Sequence, residues 1–190
     1  PRIVPYQNFS LDPATCVLHY GQAIFDGLKA FRGKDGIIRT FRVGDHARRL
    51  NRSAHYLCIP ELPVDVVEES IRALVEVDQR WVPSLAGTSL YIRPTVIATE
   101  TFLGVHPSHE YIYYVIVGPV GAYYKEGMNP VKIMASDKYV RAVQGGLGAA
   151  KTAGNYAASL YGAEEAQKAG YTQVLWLDGV EHKYLDEVGT

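Results

Sequence analysis

Cysteine is nearly missing from this chain: only Cys16 and Cys58 occur in 190 residues, and neither stands in a C-x-x-C pair or at a zinc-ligand spacing. That excludes a disulfide framework, offers no cysteine-held metal, and makes a reducing, cytoplasmic compartment the default. No run of about 18 apolar residues is present to span a bilayer as a helix, and the opening PRIVPYQNF lacks the charged-then-apolar pattern of a secretory leader. An excess of one charge is lacking too. With 19 basic and 20 acidic residues and a net charge of -1, there is no basic face for nucleic acid or an anionic membrane, which leaves small molecules as the expected ligands.

What the chain does have is a small-residue stretch around one lysine, QGGLGAAKTAGNYAASL at residues 144–160. Glycine and alanine allow backbone and ligand to approach closely, and they give Lys151 a clear path to a small electrophile or a phosphate. Residues 145–152 nearly match the phosphate-cradling G-x-x-x-x-G-K-[ST], but Ala150 stands where the last glycine belongs. Nine residues also separate these glycines from the extended run at Val131–Ala135, whereas a phosphate loop follows its strand directly. The second chemistry is a Schiff-base lysine, whose amine must be uncharged to attack a carbonyl and is helped by partial desolvation. If a helix has begun by Asn155-Tyr156, the phenol of Tyr156 lies near the same cavity and can hydrogen-bond a ring oxygen of an aromatic cofactor. A flexible loop with an exposed lysine remains the plain alternative.

The rest of the chain alternates strand and helix signals, an α/β (α+β) pattern. Gly33-Lys34-Asp35-Gly36 between two β-rich runs predicts a hairpin. Residues 42–58 predict a helix with Asp45 as its N-cap, and its arginines, Arg48, Arg49 and Arg52, fall on different faces. Residues 64–77 predict an amphipathic scaffold helix. Residues 87–98 read as a strand on which Tyr91 and Arg93 point the same way, and that arginine needs an anionic partner, either a substrate carboxylate or an internal acid. The dense run at residues 111–120 predicts a central strand. Gly, Pro and Asn at residues 118–130 suit a linker or lid. Residues 155–170 then predict a helix, residues 172–177 a strand, and Asp178-Gly179 a turn. The expected organisation is a small N-terminal domain over residues 1–120, a linker and first strand over 121–135, and the start of a second domain over 136–190.

Several motifs together resemble one family. HYGQAIFDGLKAF (residues 19–31) fits HYG-x-x-x-F-x-G-x-[KR]-A-[FY], His46 to Leu50 fits H-x-x-R-L, and SLYIRP, KTAGNYAASL, QVLWLD and DEVGT follow in order. The chain resembles the branched-chain amino-acid aminotransferases, pyridoxal 5′-phosphate (PLP) enzymes of fold type IV. The resemblance implies a PLP Schiff base on Lys151, Arg49 on the cofactor phosphate, Tyr156 on the ring hydroxyl, and Glu187 keeping the pyridine nitrogen protonated. It further implies a substrate pocket walled by Tyr20, Phe25, Tyr91 and Tyr123, with Tyr124 competing for the last place and Arg93 meeting the distal carboxylate of glutamate. For Tyr20 and Phe25 the alternative is an ordinary place in the core. No metal is implied. Family members continue for a further domain, so the chain is expected to be an N-terminal fragment, and they form dimers, which predicts at least a homodimer. The expected reaction exchanges an amino group between branched-chain L-amino acids and 2-oxoglutarate. A D-amino-acid transaminase or aminodeoxychorismate lyase would share Lys151, Arg49 and Glu187, and a nucleotide-binding protein using the imperfect phosphate loop is the reading from another class.

Overall fold

The computed structural model describes residues 2–121 and 129–189. The chain divides into two compact units, Pro1–Ala122 and Tyr123–Thr190.

In the first unit the predicted strand at residues 87–98 becomes the hub of a mixed-length antiparallel sheet. Strands β1 (Ala23–Phe25), β2 (Leu28–Arg32), β3 (Ile38–Thr40), β4 (Ser89–Ala98) and β5 (Tyr111–Val120) are arranged with β4 bonded to β1, β2 and β5, and β3 added outside β2. The β2–β3 hairpin closes as expected, with Gly33 N–H donating to the Ile37 carbonyl at 2.9 Å and Gly36 at φ 77°. Alternation along β4 sends Leu90, Ile92 and Val96 into the core and leaves Tyr91 and Arg93 together on the other face. Helices α1 (Cys16–Tyr20), α2 (Val43–Tyr56) and α3 (Val64–Val77) belong to this unit, and α2 and α3 supply the opposing core wall. Val67, Ile71 and Val75 recur at four-residue spacing on α3, and Ala47, Leu50 and Ala54 line α2. Each large aliphatic side chain buried there stabilises the unit by about 1.5–3 kcal/mol, and this core holds β4 in place.

Two expectations are corrected here. Strand β5 is not central: among the described residues it pairs with β4 alone, and most of its side chains are half-buried. Its β-branched and aromatic density reflects a fit to a pleated, half-covered surface and does not fix a strand's place in the sheet. Nor does Asp45 cap α2. The helix starts at Val43 behind Arg42, whose φ of 53° is left-handed, and Asp45 sits in the first turn bound to Arg42 and Arg48. There it still offsets the positive helix end.

The second unit is a strand–helix–strand crossover followed by a return strand. Strand β6 (Ile133–Val140) runs parallel to β7 (Gln173–Leu177) through helix α4 (Ala153–Lys168), and β8 (Leu185–Val188) pairs antiparallel with β7. Strand β6 continues well past the expected end at Ala135, because an irregularity after Ser136 absorbs Asp137 and Lys138 on the exposed side, with Ser136 Oγ accepting from Tyr139 N–H at 3.0 Å. The turn at Asp178 is formed by its carboxylate accepting the N–H groups of Val180, Glu181, Lys183 and Tyr184. Those four bonds hold Asp178 far below the usual carboxylate range.

Trp176 is the core of this unit, with its indole N–H donating to the Gly189 carbonyl at 2.8 Å and its ring against Gly162 and Ala166 of α4. A Cβ at Gly162 would stand 2.9 and 3.1 Å from ring carbons of Trp176. Gly162→Ala therefore gains about 1 kcal/mol of helix propensity but overpacks a rigid ring at about 1–3 kcal/mol. A lower urea midpoint for the whole protein is expected, and a raised one would show that the helix moves away at no cost. Among the described residues no helix is long and apolar enough to cross a membrane.

Candidate active site

In the second unit the small-residue stretch is a folded turn. Gly146 N–H donates to the Val143 carbonyl at 3.0 Å and Ala150 N–H to the Leu147 carbonyl at 2.9 Å. Asn155, buried in the first turns of α4, donates its amide to the carbonyls of Leu147 and Ala150 at 2.7 and 2.8 Å. These bonds engage N–H groups that a phosphate cradle would need free, so they count against the nucleotide reading even though β6 brings the strand closer to the glycines than expected. The same bonds fix the lysine that follows.

Lys151 Nζ donates to Tyr156 Oη at 2.5 Å and lies 5.0 Å from that ring's centroid. Thr152 is extended and α4 starts at Ala153, so the phenol five positions on returns to meet the amine. Arg141 approaches the same ring at 5.2 Å, a second cation near its face. Its side chain is 7% exposed, and its Nε lies 2.9 Å from Glu187 Oε1 on β8, an ion pair in which the N–H is not aligned as a hydrogen bond. Lys151, Tyr156, Arg141 and Glu187 thus form one connected row. Arg141 was not legible in sequence, where VRAV showed only a lone arginine after a strand.

Arg141→Met would leave Glu187 without its cation and Tyr156 with one cation fewer. Because Glu187 is half-exposed and can be solvated, the expected effect falls more on function than on folding. If Glu187 faces a cofactor ring, the absorbance maximum of the holoprotein should shift with little change in melting temperature. A large melting shift with an unchanged spectrum would make Arg141 a scaffold residue.

In the first unit, Phe25, Tyr91 and Arg93 come together as expected. Arg93 Nη2 donates to Tyr91 Oη at 2.7 Å, and its guanidinium carbon lies 4.5 Å from the Phe25 centroid. Among the described residues Arg93 has no ion pair, so the internal acid that the sequence left open is not formed there. Gly27 makes the arrangement possible. A Cβ there would fall 2.1 Å from Tyr91 Oη, and the residue is a glycine for that close approach. Gly27→Ala is expected to push Tyr91 aside and loosen Arg93. If Arg93 receives a carboxylate, KM for the dicarboxylate substrate should rise by about tenfold or more, as when a site loses a charge-assisted hydrogen bond, while KM for leucine rises less.

Arg49 is gripped by a residue the motif reading passed over. Asp26, fully buried, accepts from Arg49 Nε at 2.7 Å and Nη2 at 2.6 Å, from His46 Nδ1 at 2.8 Å and from Gly27 N–H at 2.7 Å. His46 shares this carboxylate. Burial pushes the Asp26 pKa up, but the bonds from Arg49, His46 and Gly27 outweigh it, and the net shift is downward. The forked grip sets the plane of the guanidinium, which is 42% exposed. Tyr20 sits at the end of α1, exposed and stacked on Phe102 with centroids 6.2 Å apart. Tyr123 and Tyr124 lie outside the described residues.

Comparison with known proteins gives a concordant result. The family model for amino-transferase class IV matches residues 23–189. The chain is 54% identical over 190 residues to branched-chain-amino-acid aminotransferase 2 of Bacillus subtilis (strain 168), covering 100% of this chain and 52% of that protein. It is 53% identical over 189 residues to the branched-chain-amino-acid aminotransferase of Mycolicibacterium smegmatis, covering 99% of this chain and 51% of the relative. The chain therefore spans about half the length of the curated relatives it matches. Among solved structures, the T.th. branched-chain amino acid aminotransferase with pyridoxamine 5′-phosphate superposes with a TM-score of 0.81 at 29% identity, over 97% of this chain and 59% of that one.

Proposed function

Since the chain belongs to the amino-transferase class IV family and has the fold-type IV architecture of its structural neighbours, we propose that the protein it represents is a PLP-dependent aminotransferase exchanging the amino group of branched-chain L-amino acids with 2-oxoglutarate. The observation that carries this reading is the row of Lys151, Tyr156, Arg141 and Glu187 within one unit. It supplies an amine, a phenol and a cation-held carboxylate, the donor set that such a cofactor requires. When bound, PLP supplies an aldehyde and an electron-accepting ring.

Lys151 is the residue proposed to bond the cofactor covalently, and its released Nζ is the base that takes the proton from substrate Cα. Tyr156 holds that amine in place and would donate to the ring hydroxyl oxygen. Glu187 would keep the pyridine nitrogen protonated. Arg49, whose Nε and Nη2 are turned to Asp26, would meet the cofactor phosphate with the other edge of its guanidinium. Phe25 and Tyr91 offer apolar surface for an aliphatic side chain, Arg93 offers charge for the distal carboxylate of glutamate, and Tyr20 and Tyr123 are proposed as further pocket walls. Because a single methylene discriminates by only about 1–3 kcal/mol, valine, leucine and isoleucine should all be substrates. A homodimer in the cytoplasm is part of the same proposal.

The test is a substrate panel on the full-length protein loaded with PLP. Turnover of L-leucine, L-isoleucine and L-valine with 2-oxoglutarate is expected. Robust turnover of D-alanine with none of L-leucine would replace this reading with another fold-type IV activity.

A further inference from the structure

The loop joining β4 to β5 holds a cluster to which the proposed amino transfer assigns no role. Glu100, His106 and His109 each offer one ligand atom there, and these atoms lie within 4.8 Å of one another. Glu100 is anchored by its backbone, since its carbonyl accepts from Cys16 N–H at 3.0 Å, and by its side chain, since Oε2 accepts from His109 N–H at 2.7 Å. His106 is held on both sides of its ring. It stacks on Phe102 at 3.9 Å between centroids and donates Nδ1–H to the Pro107 carbonyl at 2.9 Å. That bond fixes the tautomer: a carbonyl only accepts, so the neutral ring keeps its lone pair on Nε2, which faces Glu100 Oε1 at 3.9 Å. The separation is too long for a hydrogen bond.

We propose that Glu100, His106 and His109 form a site for a divalent transition metal of the zinc type. Two imidazoles and a carboxylate are borderline ligands that suit zinc and its neighbours better than magnesium or calcium. A tetrahedral zinc with bonds of about 2.0–2.1 Å sets its ligand atoms about 3.3 Å apart. The observed group is wider than that by little more than side-chain rotation on an exposed loop. His109 Nδ1 now lies 3.1 Å from Glu100 Oε2 and shares a proton with it; the metal takes that proton's place, and neutral His109 then carries its proton on Nε2. The Pro107 carbonyl on His106 is the outer partner that metal-bound histidines usually have. A water completes the fourth position. The ion would staple the 101–109 loop across the end of β4, a role separate from the proposed amino transfer.

The experiment is equilibrium dialysis of zinc chloride against the full-length, tag-free holoprotein and the double variant His106→Gln/His109→Gln. Wild type is expected to hold one more zinc equivalent per chain than the double variant, with Glu100→Gln weakening binding by about tenfold or more. Equal stoichiometry and affinity in wild type and double variant would overturn the proposal, because any zinc would then sit on the cofactor or on Cys58. His109→Gln alone, a change to a side chain that is 80% exposed, gives the same comparison if the double variant does not fold. Zinc binding is read independently of turnover, so failure here leaves the aminotransferase reading standing.

Discussion

Lys151→Ala should lower transamination of L-leucine by at least about 10⁴-fold, because proton transfer by a positioned base alone contributes up to about that factor and covalent attachment is lost with it. The same variant should lose the visible absorbance of the lysine-bound cofactor. Folding is not expected to suffer, since Lys151 is half-buried at the mouth of a turn whose shape is set by Asn155 and by the N–H groups of Gly146 and Ala150. Tyr156→Phe sharpens the result. It keeps the ring that both cations face and deletes only the oxygen receiving the Lys151 proton, so a smaller loss with a shifted absorbance is expected. If Lys151→Ala kept both colour and turnover, the assignment of the covalent residue would fail. If instead the wild-type protein were colourless and bound a nucleotide with Mg²⁺, the near-match to a phosphate loop would regain its standing despite its engaged N–H groups.

The two halves of that row were not equally legible in sequence. Lys151 and Tyr156 could be paired because five residues separate them across one helix start, and capping and glycine signals mark such starts. The contact between Arg141 and Glu187 could not, because it depends on where β6 ends and on an irregular pairing between β7 and β8. The extended run in the sequence ended at Ala135, five residues before β6 does. Tyr91 and Arg93 were legible for the opposite reason, since a period of two assigns the face without reference to any partner. Asp26 and Gly27 were quoted inside a motif yet given no role. Their roles lie in the far side of the fold, where Asp26 reaches Arg49 across 23 positions and Gly27 meets the ring of Tyr91. Long-range pairings of this kind leave no periodicity to read.

Asp26 carries the largest expected effect on stability. It is 0% exposed while Arg49 is 42% exposed, so deleting the carboxylate leaves an arginine that water can partly solvate. Breaking a buried pair costs about 3–5 kcal/mol, and the exposure of Arg49 brings Asp26→Ala to about 2–3 kcal/mol. The sign of its pH dependence follows from the lowered pKa. A carboxyl whose folded pKa lies below its unfolded value stabilises fully above the ordinary value of about 3.9, and loses that contribution as the pH falls through the folded one. Arg49→Gln should flatten the slope. Without the guanidinium, burial still raises the Asp26 pKa and only the bonds from His46 and Gly27 oppose it, so the downward shift shrinks and less stability is lost on acidification. Urea midpoints between about pH 3 and pH 6 should therefore fall with acid less in Arg49→Gln than in wild type. The comparison must be a difference between the two proteins, because Asp35, Asp45 and Glu69 also have lowered pKa values and titrate in both. Parallel curves would mean that His46 and the Gly27 N–H hold the carboxylate charged by themselves, leaving Arg49 as a ligand-facing group that Asp26 orients without depending on it.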